Sequence, residues 1–193
     1  MLLIHNPRLL DYLRYRYSPG ELQRLLTFLR EAGTFHFPAL PNGLFPAAHV
    51  ATDDPSGYAS VWIRDNVHVA HALWYDGQID RAVRAVQGMI AFLSTQLDRV
   101  ARVLAGELDP DEPMNRPHIR FDGHKLTEID VRWSHAQNDA LGYFLWITAR
   151  LLRQGHLPLT DETAEVVTAI KQLLDTRVRP AVAQDGGEKM ETD

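Results

Sequence analysis

Between Gln78 and Val100 the apolar residues Ile79, Ala82, Val83, Val86, Ile90, Leu93, Leu97 and Val100 recur with a helical period. A stripe this long commits the chain to packing helices on helices. Gly88 inside it either weakens the helix slightly or lets a neighbour approach closely. Other segments repeat the pattern. Ser18-Pro19-Gly20-Glu21 reads as a capping box with proline at the first helical position, ahead of Leu22, Leu25, Leu26 and Leu29, with Gly33 as the stop. Val67, Ala70, His71 and Trp74 mark a helix over Ile63–Tyr75 that Asp76-Gly77 breaks. Leu141, Phe144, Leu145, Thr148, Leu151 and Leu152 mark one over Ser134–Arg153. Val166, Val167, Ile170, Leu173 and Leu174 mark one over Asp161–Arg177, capped by Thr160 or Asp161 and stopped by Pro180. No period-two run stands out, so the expected class is all-α with about five helices.

The connections are as informative as the helices. Residues 34–60 carry Pro38, Pro41, Pro46 and Pro55, an Asn42-Gly43 turn, and the aromatics Phe35, Phe37, Phe45 and Tyr58. Residues 105–131 form a second long connection, with the acidic turn Asp109–Pro113 and the turn Phe121-Asp122-Gly123. Loops of this length are functional or disordered, and their aromatic content argues for order. They precede alternate helices, which puts them at one end of a helical layer and makes that end a candidate site. Residues 1–17 mix Tyr12, Tyr15 and Tyr17 with arginines, and are expected to pack beside the first helix. The tail 184–193 is polar and expected to be loose.

Two clusters sit where these loops meet helices. Trp62, Arg64, Asp65 and Asn66 fall on the first turn of one helix, where N–H groups point outward and Asp65 can cap. Trp133-Ser134-His135-Ala136-Gln137-Asn138-Asp139 opens another; Trp133 and Gln137, four apart, can share a face, while Asp139 needs the loop to turn first. A carboxylate accepts from hydroxyls, a guanidinium donates through a planar fork, and an indole offers an apolar face to a sugar ring. The same residues also suit a plain Arg–Asp pair that caps a helix and anchors a loop.

Composition narrows the classes. With 25 acidic against 20 basic residues the net charge is −5, which argues against nucleic acid as a partner. The absence of cysteine excludes disulfides, thiolate catalysis and Cys-based zinc sites. No signal peptide and no membrane-spanning run is read, so the expected location is cytoplasmic and no membrane partner is expected. His68-x-x-His71, with His118, His124 and His135 elsewhere, raises a metal-dependent hydrolase. No His-Glu-x-x-His pattern accompanies it, so neither metal nor cofactor is expected.

Three segments together resemble a known family. Gly43-Leu44-Phe45-Pro46-Ala47, Trp62-Ile63-Arg64-Asp65-Asn66-Val67 and Trp133-x-x-x-Gln137-x-Asp139 occur in the order and approximate spacing of glycoside hydrolase family 15. That family includes the glucoamylases and the α and β regulatory subunits of phosphorylase kinase, and the first two segments look closer to the kinase-subunit branch. Arg120-Phe121-Asp122 is similar to the lysine/arginine-Phe segment that precedes this tryptophan in glucoamylases. The resemblance covers residues 42–153. It implies an (α/α)6 toroid with the site where connecting loops meet, Arg64 and Asp65 on the non-reducing-end glucose, Trp133 lining the sugar subsites, and Trp62, Gln137 and Asp139 beside them.

The family hydrolyses α-glucosidic bonds with inversion, using an acid and a base roughly 6.5–9.5 Å apart. Where the resemblance places the acid, in a Gly-x-Trp-Glu-like segment, this chain reads Asp185-Gly186-Gly187-Glu188-Lys189-Met190-Glu191, without the tryptophan. Glu188 or Glu191 is the candidate acid, and no base is found. The chain therefore reads as a single N-terminal portion, 1–193, of such a domain, a partial toroid. Its expected partner is an α-glucan or oligosaccharide, and self-association through unfilled apolar faces is expected. The alternative is a non-catalytic regulatory or interaction module like the kinase subunits.

Overall fold

A computed structural model of the protein describes residues 6–48 and 57–178. The chain divides into two units, Met1–Pro38 and Ala39–Asp193. In the first, a 3-10 turn (Pro7–Asp11) precedes helix α1 (Pro19–Glu31). The capping box forms as read: Ser18 Oγ accepts from the Glu21 amide at 3.3 Å, and Glu21 accepts from the Ser18 amide at 2.9 Å. Gly33 takes φ +74° beyond the helix, a left-handed conformation that a β-carbon disfavours. The aromatic–basic segment does pack on this helix. Tyr12 stacks on Phe28 at 4.6 Å, and Arg8 lies over the same ring.

The second unit holds α2 (Ile63–Tyr75), α3 (Ile79–Ser94), α4 (Leu97–Leu104), α5 (Asn138–Arg153) and α6 (Asp161–Val178). Helices α2 and α5 lie side by side, with α3 against α2, α6 against both α3 and α5, and α4 against α6. The result is two layers of helices. Each helix buries the face its periodicity marks: Ile63, Val67, Ala70 and Leu73 on α2, Leu141, Phe144, Ile147 and Leu151 on α5, Val166, Ile170 and Leu173 on α6. Helix α3 is buried more broadly, through Ala82, Ala85, Val86, Met89, Ile90, Phe92 and Leu93. Thr160, rather than Asp161, caps α6: its Oγ1 accepts from the Thr163 amide at 3.1 Å.

The structure corrects several boundaries. The long third helix is two, because Thr95 and Gln96 interrupt it while Leu97 and Val100 keep the apolar stripe going. Helix α5 starts at Asn138, so Ser134–Gln137 is not helical, and Trp133 and Gln137 do not share a helix face. His71 and Trp74 lie at the margin of the buried face of α2. A three-stranded antiparallel sheet also forms, β1 (Val61–Trp62), β2 (Arg120–Asp122) and β3 (Thr127–Glu128), in the order β1-β2-β3. Val61 pairs with Phe121 and Trp62 with Arg120; Phe121 also pairs with Glu128.

This small sheet locks the two long connections to the helices. Phe121 stacks on Phe92 of α3, ring centroids 3.7 Å apart and nearly parallel. The Asn42-Gly43 turn lies on the same helix. A β-carbon at Gly88 would stand 2.7 Å from Leu44 Cγ, so the glycine is there for close approach. Asn42 Nδ2 donates to the Gly123 carbonyl at 2.7 Å and joins the first connection to the second. Residues 179–193, with Pro180, Glu188 and Glu191, lie outside the described residues.

Candidate functional site

The strand–helix junction at Trp62-Ile63 fixes the first cluster. Trp62 is extended, and the Ile63 amide donates to the Ile119 carbonyl at 2.9 Å, so the first turn of α2 grows directly out of the sheet. Asn66 is fully buried one turn in. Its Oδ1 accepts from the Phe45 amide at 2.8 Å, and its Nδ2 donates to the carbonyls of Phe45 at 2.8 Å and Trp62 at 3.0 Å. This one amide joins the Gly43–Ala47 segment to the Trp62–Val67 segment.

Arg64 and Asp65 project from that fixed turn. Arg64 Nη2 donates to Gln137 Oε1 at 2.6 Å and pairs with Asp139 Oδ2 at 2.7 Å. The turn that Asp139 needed is supplied by the non-helical stretch before α5. Gln137 is held in turn by donating its Nε2 to the Ser134 carbonyl at 3.0 Å. Asp65 does not cap α2, which has no side-chain cap. It is exposed, yet partial burial of its carboxyl raises its pKa above the ordinary value, opposed by the nearby Arg64 and His68.

Trp62 and Trp133 meet edge to face, ring centroids 5.3 Å apart. The Arg120 guanidinium lies over both rings, at 5.7 Å from Trp62 and 5.0 Å from Trp133, and its Nε donates to Ser60 Oγ at 3.3 Å. Trp133 is 36% exposed. Its open side borders a groove of about 280 Å³ with Pro113, Arg132 and Ser134. Asp139 lies at the edge of a second groove, about 540 Å³, lined by His68, His71, Gly142, Tyr143 and Trp146.

The six residues singled out from the sequence thus fall on one rim: Arg64 with Gln137 and Asp139, Trp62 with Trp133, and Asp65 one residue along from Arg64. Two contributors escaped the sequence reading. Arg120 was noted only as part of a motif, yet it is the cation between the tryptophans. Asn66 was noted as a polar residue of the helix start, and its role as a clamp depends on a loop 21 residues away. His68 and His71 do not converge on other ligands. His68 faces Tyr143 at 5.3 Å, and His71 sits among Tyr75 and Trp146 at 4.7 and 4.8 Å. Among the described residues no cluster of three or more His, Asp or Glu side chains is placed to hold a metal ion.

The family model for glycosyl hydrolases family 15 matches residues 29–179. The chain belongs to that family. A relative, the uncharacterized lipoprotein YgeQ of Escherichia coli strain K12, is 30% identical over 177 residues, 83% of this chain and 67% of its own length. The probable phosphorylase b kinase regulatory subunit alpha of Drosophila melanogaster is 27% identical over 131 residues, 58% of this chain and 10% of its own length. Two solved glycosidase structures, one in complex with glucose, share the fold with TM-scores of 0.63 and 0.64 at 24% and 23% identity. Each likeness covers 86% of this chain and 44% of the glycosidase. The two helical layers are accordingly part of an (α/α)6 toroid. No helix among the described residues is long and apolar enough to cross a membrane.

Proposed function

We propose that the rim carrying Trp62, Arg64, Asp65 and Trp133 binds the non-reducing-end glucose of an α-glucan or maltooligosaccharide. The observation that carries this reading is the Arg64 bridge to Gln137 and Asp139, which brings two separate family motifs to one place. Around it stand an exposed carboxylate, Asp65, to accept from sugar hydroxyls, and an exposed indole, Trp133, to lie against a ring face. The glucose complex of a structural neighbour supports a sugar as the ligand. Calorimetry with maltose or acarbose tests it. Asp65→Asn keeps the size of the side chain and removes its charge, and each charge-assisted hydrogen bond lost weakens binding by about 1.5–3 kcal/mol. Unchanged affinity with helicity intact removes Asp65 from the site.

Binding is the first step of the glycoside hydrolysis for which the family is named. The second carboxyl of an inverting pair is the missing piece. Glu188 and Glu191, the candidate acids, lie outside the described residues, and no base is assigned. Residues 1–193 by themselves are expected to bind maltose without releasing glucose from it. Glucose release that depends on Glu188 or Glu191 would show the assignment to be incomplete. The likeness to a kinase regulatory subunit favours a second reading, a sugar-binding regulatory module that never hydrolyses, and turnover separates the two. The cytoplasmic location expected from the sequence stands against the name of the YgeQ relative, which points to a lipoprotein; cell fractionation decides.

A further inference from the structure

Behind the rim lies a cluster that the sugar reading does not use. His118 and His135 are 1% and 2% exposed, and their rings stack at 3.8 Å with 11° between planes. His135 Nδ1 accepts from the Ile119 amide at 3.2 Å. Ile119 accepts in turn, through its carbonyl, from the amide of Ile63, the first residue of α2. Two hydrogen bonds therefore run from the helix start that bears Arg64 and Asp65, through Ile119, to an imidazole set between Trp133 and Gln137. The accepting Nδ1 requires a neutral ring with its proton on Nε2. Nε2 of His135 has no hydrogen-bond partner among the described residues, while the His118 ring faces the Met114 backbone and Glu128.

We propose that the stacked His118–His135 pair is a positioning device: in its neutral form it holds Trp133 against Trp62 and Gln137 against Arg64, and protonation of His135 releases them. The rim's response as a sugar site rests on the reading above; the mechanical link does not. A proton on His135 Nδ1 would set one N–H against another, so the bond to Ile119 cannot survive it. The charges facing the pair are Glu128 of β3, Arg99 of α4 and Arg120 of β2. Glu128 Oε2 stands 3.7 Å from His118 Nε2, but Arg99 already donates to both of that carboxylate's oxygens, at 2.6 and 2.7 Å. Burial is the largest influence on His135 and lowers its pKa to about 4, with His118, Arg99 and Arg120 adding to it and Glu128 opposing. Burial likewise lowers that of His118, against Glu128. A histidine lowered by folding favours the fold when neutral. The anchored loop therefore has its full stability above the unfolded value of 6.5 and loses it as pH falls from there toward about 4.

The test follows the ¹⁵N-labelled protein by NMR from pH 7 to 3 without sugar. It reads the Trp133 indole resonance, the exchange of the Ile119 amide and the His135 ring nitrogens. The expected result is one midpoint shared by all three below pH 6.5, with helical circular dichroism retained. In His135→Asn, whose side-chain oxygen falls near the Nδ1 position and cannot titrate, the Trp133 resonance should stay at its neutral-pH position. A Trp133 or Ile119 transition that departs from the ring's own midpoint overturns the proposal. So does a transition that persists unchanged in His135→Asn, or none at all. Failure to bind maltose at pH 7 would remove the sugar reading instead, since the loop transition is observed with no sugar present.

Discussion

The two helix starts at the rim look alike in sequence and are built in opposite ways. The start of α2 is held by backbone and by a buried amide: strand β1 pairs with β2, Ile63 bonds to Ile119, and Asn66 makes three hydrogen bonds. The start of α5 is held by side chains. Residues 129–137 belong to neither helix nor strand, and they reach the rest of the rim through His135, Gln137 and Trp133. One half of the candidate site is thus fixed by the fold, and the other is attached to it. Attachment through partly exposed pairs is weak, because such ion pairs are screened and constrain flexible chains.

The strongest way to break the contrast is Asn66→Ala. It leaves the amide and carbonyl of Phe45 without their partner, and should cost roughly 2–6 kcal/mol in urea unfolding, since each buried unsatisfied group costs about 1–3 kcal/mol. A loss below about 1 kcal/mol, within the range of a single ordinary hydrogen bond, would show that the first start does not depend on its clamp. Asp65→Asn sharpens the contrast from the other side. A carboxyl whose pKa is raised by folding costs stability as it ionises, so the cost appears as pH rises through the unfolded value of 3.8 and persists at neutrality. The variant should melt slightly higher than the parent at pH 7 while binding sugar more weakly, the mark of a residue kept for function. A variant that melts lower than the parent at pH 7 would reverse the assigned sign. The smallest effect is expected at the attached half. Trp133→Phe should leave unfolding nearly unchanged and remove most of the fluorescence shift on adding maltooligosaccharide. An equal shift in parent and variant would transfer the signal to another tryptophan.

How much of this was legible depended on distance along the chain. Caps and stripes are local, so α1, α2 and α6 were placed within a residue or two. The break at Thr95-Gln96 was hidden because Leu97 and Val100 continue the stripe of α3 into α4. Ser134 resembles a cap, but Trp133, His135 and Gln137 instead make short-range backbone contacts, His135 to Trp133 at 3.1 Å and Gln137 to His135 at 2.7 Å, that delay the helix. Strands of two or three residues are too short to show a period. The six candidate rim residues could be singled out because each lies in a motif. The partners that organise them, Asn66 with Phe45 and His135 with Ile119, pair across the sequence and leave no local trace.

The Asn66 clamp also bears on the order of assembly. Its partners are 21 residues apart, whereas Arg64 and Gln137 are 73 apart. Closing the longer loop costs about 1 kcal/mol more in chain entropy, by the logarithmic dependence on length. The shorter closure also joins segments that abut the α2–α3 hairpin, itself a local structure. Entropy therefore favours a sequence in which the Gly43–Ala47 turn and the start of α2 come together first. Trp133 and Gln137 then reach a surface that is already shaped to receive them, and the last part of the rim to form is also the first that a small perturbation can undo.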